Sequence, residues 1–223
     1  MANQKLKELL IDTMKFLGEK HKELANSAKS IVDNGSPEGV VTAAKGTVYT
    51  DNQITLGVSQ WIKTTDTGNT GWKVLNGDTG WVEITKATTR KNSSNRVWIR
   101  RVNERVTWKF GGGPYDWFGI VAPNNTSWTG LNKGGKIIHT YICPPSRDFI
   151  PVGFRSPSSL IGQFYSDLTN KAYGVWKLGG VNDRNQFRFE FFDQVDAKKA
   201  IDDIRVDTVT YLTDDPWPTT LSA

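Results

Sequence analysis

The chain has 223 residues, 37% of them hydrophobic and 11% aromatic, with nine Trp, 21 Gly and a formal net charge of +5. That length admits one large domain or two or three small ones, and apolar content held largely in rings among many glycines suits a β protein rich in turns. A lone Cys143 excludes an internal disulfide framework, no run of about 18 apolar residues spans a membrane, and the charged N-terminus does not read as a signal peptide, so assembly in a reducing cytosol is expected.

Residues 4–33 read as one helix, stopped at Asn34-Gly35 with Pro37 just beyond. Leu10, Met14, Leu17, His21, Leu24, Ala28 and Ile31 recur at alternating spacings of four and three, the seam of a coiled coil. Ile11, Gly18, Ala25 and Val32 widen this face beyond the needs of a two-stranded seam. A third helix or the protein's own globular part could bury it; the breaker-rich linker that follows favours self-association, and a homotrimer is expected. His21 would either fix register in the seam or reach out to water. Leu9 and Phe16 form a second short stripe that could dock the N-terminus onto a larger particle, or be ordinary surface apolars.

Residues 35–90 read as a small Trp-rich β spacer, in which GNTGW and GDTGW recur nine residues apart. Asn76-Gly77 is a hairpin-turn signal, and Trp61, Trp72 and Trp81 are expected to pile into a miniature core. Residues 91–223 alternate as an antiparallel β-barrel or sandwich head. It opens with VWIRRV and RVTWKF around Asn103-Glu104, with further strands expected at 117–121, 136–142, 149–154, 160–165, 172–178, 186–192 and 205–212. The fold class expected is thus mainly β with an N-terminal α-helix: a trimeric stalk over 1–34, the spacer, and the head.

Charge is unevenly spread: Lys86, Arg90, Lys91, Arg96, Arg100, Arg101, Arg105 and Lys109 face only Glu104 in their stretch. Without a nucleic-acid motif, these basic residues are read as strand positions facing water, and nucleic acid is not an expected partner. Catalytic signatures are lacking: the two histidines fall in different regions, and no H-E-x-x-H, paired Cys or G-x-S-x-G occurs. Neither a cofactor nor a metal is expected. The most enzyme-like feature is the carboxylate group Glu190, Asp193, Asp196, Asp202 and Asp203, which leaves a glycan hydrolase as the weaker reading. Binding chemistry remains. Aromatic faces and planar polar groups suited to sugars gather at Asp116, Trp117, Trp128, Asp183 and Arg184, and on the strand carrying Tyr173 and Trp176; those two lie three apart, so one is expected to face the core and the other solvent.

The segment PEGVVTAAKGTVYTD…WIKTTDTGNTGWKVL resembles a module of phage tail fibres and capsid head fibres, marked by Pro-Glu-Gly, G-x-x-Y-x-D and W-x-K followed by G-N-T-G-W. The C-terminal part is similar to head domains of trimeric receptor-binding proteins of phages infecting Gram-positive bacteria, through VWIRRVNERVTWKF, the Cys143-Pro144-Pro145 step and the Tyr211–Pro218 ending. The resemblance implies a virion location, a trimer attached to other virion proteins (baseplate, tail or capsid) through its helix, and a β-barrel head binding host cell-wall saccharide. A capsid head-fibre or decoration protein is the alternative. The sugar-site histidine of some members has no counterpart in Tyr173-Gly174-Val175-Trp176, while Phe192 and Arg205 stand where a later Trp and Arg would.

Overall fold

The computed structural model describes residues 2–27, 30–84, 95–111, 129–131, 136–145, 149–196 and 203–221. The chain is mainly β with one N-terminal helix and a curled half-barrel sheet. It divides into two compact units, Met1–Gly77 and Asp78–Ala223.

In the first unit, α1 (Ala2–Ser27) is a helix of 26 residues. Leu10, Met14 and Leu17 of the predicted seam are all exposed along it, as are Leu9 and Phe16. His21 and Leu24 lie on its backbone, and Ala28 falls outside the described residues. Ile31 corrects the expectation of a helix to residue 33. It sits on strand β1 (Ser30–Asp33), which pairs in parallel with β2 (Val48–Asp51), matching Ile31 with Tyr49. The β-branched Ile31-Val32 pair suits an extended backbone, and the ladder bonds to β2 outweigh three more residues of helix.

Strands β3 (Val58–Lys63) and β4 (Trp72–Gly77) complete a sheet in the order β1-β2-β3-β4. Tyr49, Val58, Trp61 and Trp72 form its small core, with the Tyr49 and Trp72 rings edge-on at 5.9 Å. Polar fasteners complete what so few apolar residues cannot. Asp51 is buried and accepts from the backbone N–H of Gly35, Gln53 and Thr55 at 2.9, 2.9 and 2.7 Å. Glu38 accepts from the N–H of Gly71 (3.2 Å) and Trp72 (2.7 Å), while Asn69 Nδ2 donates to Gly39 O at 2.7 Å. The Pro-Glu-Gly, Tyr-x-Asp and Gly-Asn-Thr-Gly-Trp motifs are therefore one interlocked set of internal contacts.

Two expectations for the spacer are corrected. Asn76 and Gly77 do not turn; they pair with Gln60 and Val58 at the end of β4, past two register shifts. Trp81 does not join Trp61 and Trp72: it belongs to the second unit and is 46% exposed. The break between units falls after Gly77 rather than near residue 90, because β5 (Val82–Glu83) pairs with β6 (Arg96–Val102).

The second unit holds two sheets. One has the order β14-β7-β6-β5, where β7 is Arg105–Gly111 and β14 is Thr210–Leu212. The β6–β7 turn is Asn103-Glu104 as expected, with Asn103 in the left-handed conformation (φ 52°) that its short polar side chain tolerates. The other has the order β13-β10-β11-β12-β9-β8, with β8 Thr129–Leu131, β9 Lys136–Cys143, β10 Leu160–Ser166, β11 Ala172–Leu178, β12 Phe187–Asp196 and β13 Ile204–Val206. The strand expected at 117–121 lies outside the described residues. Residues 149–154 form no strand, and 205–212 divides between the two sheets.

A single core joins the sheets, drawing Val97, Ile99, Val106, Trp108 and Phe110 from one and Phe164, Trp176, Phe187 and Phe189 from the other. Two cross-strand pairs match a glycine with a ring, Gly162 with Trp176 and Gly174 with Phe164. A Cβ on either glycine would collide with that ring, so the glycines make room for the aromatics to lie across the sheet.

Of the basic stretch, Arg96, Arg100, Arg105 and Lys109 lie at partly or fully exposed strand positions, as alternation predicts. Arg101 departs from it and is buried. It donates to the carbonyls of Asn103 (2.7 Å), Gly153 (2.7 Å) and Pro216 (2.8 Å) and lies 4.9 Å from the Trp217 ring centre. The Tyr-Leu-Thr-x-x-Pro-Trp-Pro ending is fastened the same way. Trp108 Nε1 donates to the Tyr211 hydroxyl (2.9 Å), which donates to Phe154 O (2.5 Å), and Arg155 makes a two-point pair with Asp215 at 2.9 Å.

Candidate functional site

Alternate residues of the six-stranded sheet leave its core, and the register brings several polar ones together. Lys177 pairs with Arg188, Arg188 with Tyr141 and Glu190 with His139, placing five polar side chains on adjoining strands β11, β12 and β9. Glu190 is the hub. Its Oε2 lies 2.6 Å from Lys177 Nζ, and its Oε1 accepts from Arg188 Nε at 2.8 Å and lies 2.7 Å from Nη2. Arg188 Nη1 donates to the Tyr141 hydroxyl (3.1 Å) and to Gln186 Oε1 (3.4 Å), and His139 meets the Tyr141 ring edge-on at 5.3 Å.

Burial alone would raise the Glu190 carboxyl, but bonds from Lys177 and Arg188 outweigh it and hold the group below the usual carboxylate range. His139 is pushed below its ordinary value by burial first and then by the Arg188 charge, with Glu190 opposing and Lys177 adding to the fall. A histidine lowered in the folded state contributes stability that is complete above its unfolded pKa of about 6.5 and is lost as pH falls through the lower folded value. Glu190 titrates below that window. His139→Gln should therefore flatten the decline in second-unit stability as pH falls below about 6.5, followed by urea unfolding; an unchanged pH slope would acquit His139.

Beside the network, where β10 begins and β11 ends, lies a cleft of about 230 Å³. Ser159, Ile161, Lys177, Asp183, Gln186 and Arg188 are among the residues that line it. The loop between β11 and β12 is tightly sewn. Gly179 N donates to Gln186 O and Asp183 N to Gly180 O, both at 2.8 Å, and Gln186 Nε2 donates to Asp183 Oδ1 at 2.9 Å. Ser159 Oγ reaches Asp183 Oδ2 at 3.3 Å. A Cβ at Gly179 would strike the Asp183 carbonyl, and one at Gly180 the Ser158 backbone, so this Gly pair is what lets the loop close over the strand end.

No protein-family model matches the chain, and no curated protein or solved structure matches it either.

Among the described residues, the expected site residues do not form one cluster. Asp183 lines the cleft, and Arg184 follows it, exposed, at φ 58°. Arg205 pairs with Asp167 at 2.9 Å on β13, opposite Tyr165. That places Arg205 at the far end of β10 from Ser159, roughly 20 Å along the strand. Asp116, Trp117 and Trp128 lie outside the described residues. Tyr173 and Trp176 do not divide between core and solvent: Trp176 is buried, and Tyr173 packs edge-on against core rings Phe164 and Phe191 at 6.0 and 5.3 Å. The register shift between Phe164 and Tyr165 breaks the alternation that separates residues three apart. Phe192 is exposed.

Sequence reasoning passed over Tyr141, Lys177, Gln186 and Arg188. The signal was present in Phe187-Arg188-Phe189-Glu190-Phe191, where rings alternate with opposite charges. Among the carboxylates, Asp193 and Asp203 are exposed, Glu190 is held as an anion by Lys177 and Arg188, and Asp202 lies outside the described residues. Among the described residues, no three His, Cys, Asp or Glu side chains group as metal ligands. Fixed donors and acceptors beside aliphatic side chains suit a hydroxylated ligand held by directional hydrogen bonds.

Proposed function

We propose that this chain is a non-catalytic virion fibre protein that attaches a phage to its host by binding a saccharide of the cell surface. The observation that carries the reading is the cleft beside the Lys177–Glu190–Arg188–Tyr141 network, whose planar polar groups are already aligned by their neighbours. The resemblance of the Trp-rich module and of the chain's ending to phage fibre proteins supports the same reading.

The helix supplies the stalk. Leu6, Leu10, Met14 and Leu17 are each at least 60% exposed in the single chain, an apolar face that calls for partner helices. Three copies would bury it and present three heads, so weak single contacts would add by avidity. Light scattering should give three times the 24.9 kDa chain mass, and a monomer would overturn the stalk. The full chain should also bind purified Gram-positive cell walls and lose that binding when wall polysaccharide is stripped away. Binding that survives stripping would overturn saccharide attachment.

Leu9 and Phe16, exposed off the seam, favour a second reading in which the helix docks a decoration protein onto the capsid. Capture of capsids by the full chain, lost on Phe16→Ser, would select it.

A further inference from the structure

The cleft has a chemistry of its own beyond saccharide binding in general. We infer that it takes a single electrically neutral sugar unit, through its hydroxyls, rather than an acidic or phosphorylated one. The inference rests on the saccharide-binding reading above and concerns which sugars that site accepts.

Size comes first. A volume of about 230 Å³ lies below the roughly 300–1,000 Å³ of pockets for drug-sized ligands, so one ring fits and a longer stretch of polymer must run outside. Charge comes second. Both cations of the lining, Lys177 and Arg188, are paired with the Glu190 carboxylate, Asp183 adds a negative group of its own, and exposed Arg184 is not part of the lining, so the cleft presents no uncompensated pair of cations to an anion. Arg188 is already committed to Glu190, Tyr141 and Gln186, which leaves it little to offer a phosphate or carboxylate. Asp183 would repel either.

Hydrogen-bond supply comes third. Asp183 keeps acceptor capacity beyond its bonds from Gln186 and Ser159, and Lys177 has three N–H donors of which Glu190 uses one. A hydroxyl donates and accepts at once, so vicinal hydroxyls can meet Asp183 and Lys177 together. An anionic group only accepts. Leu160, Ile161 and Leu178 supply apolar lining, and Ile161, 63% exposed, offers aliphatic surface to the C–H face of a ring.

The test uses the full chain, isotope-labelled, with methyl glucoside, methyl galactoside and N-acetylglucosamine as neutral probes and glucuronic acid and glycerol 1-phosphate as charged ones. At least one neutral probe should shift the amides of Ser159, Lys177 and Gln186, including the Gln186 side-chain amide, with an affinity insensitive to added salt. Asp183→Asn should weaken that binding about tenfold, the worth of one charge-assisted hydrogen bond. Ile161→Arg, a change at an exposed position that fills the cleft, should abolish it even if Asp183→Asn disturbs the loop. Tighter binding by a charged probe overturns the inference and leaves saccharide attachment standing. So does wall binding by the full chain with no probe shifting the cleft, or with both variants unaffected. Failure to bind walls at all overturns attachment itself and the inference with it.

Discussion

Replacing Phe187 by Ala should cost the second unit about 3–5 kcal/mol. Phe187 is 0% exposed and stands where the two sheets meet. Its ring lies 5.1 Å from those of Trp108 and Phe110 on β7, 5.5 Å from Phe189 beside it on β12, and 6.0 Å from Trp176 on β11. Four large rings cannot collapse into the vacated space without leaving their own rotamers, so the cavity persists and the loss falls in the upper range for aromatic truncation. Urea unfolding, resolved by hydrogen exchange at amides of β6 and β12, should show both sheets weakened together. A loss below about 1.5 kcal/mol, the level of a tolerated core swap, would show that the sheets do not depend on a shared centre.

Lys63→Met should cost the first unit about 3 kcal/mol, by removing a charged group that satisfies several acceptors. Lys63 is 1% exposed, and its ammonium donates to the Thr65 hydroxyl and to the carbonyls of Thr67 (3.1 Å), Thr70 (2.5 Å) and Thr65 (3.4 Å). Residues 65–70 have no ladder of their own, so this cation, together with the backbone N–H groups of Gly39, Ala43 and Lys45 that donate to the carbonyls of Asn69, Gly68 and Asp66, gathers the loop that delivers Gly71 and Trp72 to Glu38. Methionine preserves the volume of the stem and removes every donor, which separates the hydrogen bonding from the packing. Exchange at the amides of Gly71 and Trp72 should accelerate while β12 remains unchanged. Equal acceleration in both units would mean that the substitution acts through something other than this loop.

Much of the fold was legible because local pattern and tertiary environment agree. The alternation in Arg96–Val102 and Arg105–Gly111 predicts a hairpin, and the register delivers it. Where the two disagree, the sequence misleads. Ile31 continues a helical spacing, yet its parallel partner Tyr49, far along the chain on β2, claims it for β1. Trp81 echoes Trp72 in its GDTGW context but sits on the other side of the break between units, so like motifs face unlike surroundings. Trp176 and Tyr173 show a subtler failure, since a register shift is invisible to any count of residues along one strand. The candidate site was the least legible. Its hydrogen bonds join residues 47 apart, Tyr141 and Arg188, and only the pairing of β12 with β9 brings them together. The most distinctive motifs, Pro-Glu-Gly and Tyr-Leu-Thr-x-x-Pro-Trp-Pro, are internal fasteners whose polar groups are spent on contacts within the fold.

The fastening by Tyr211, Asp215 and Pro216 also sets an order of events during synthesis. The second unit cannot close until residues 210–217 have been made, because β14 is an edge of one sheet and Arg101 waits for the Pro216 carbonyl. The first unit ends at Gly77. At ribosomal speed the interval between the two is on the order of 10 s, long enough for the first unit to fold while the second is still incomplete. Chains interrupted in that interval would carry a finished first unit and an aromatic core open to solvent, a state that chaperones and proteases recognise.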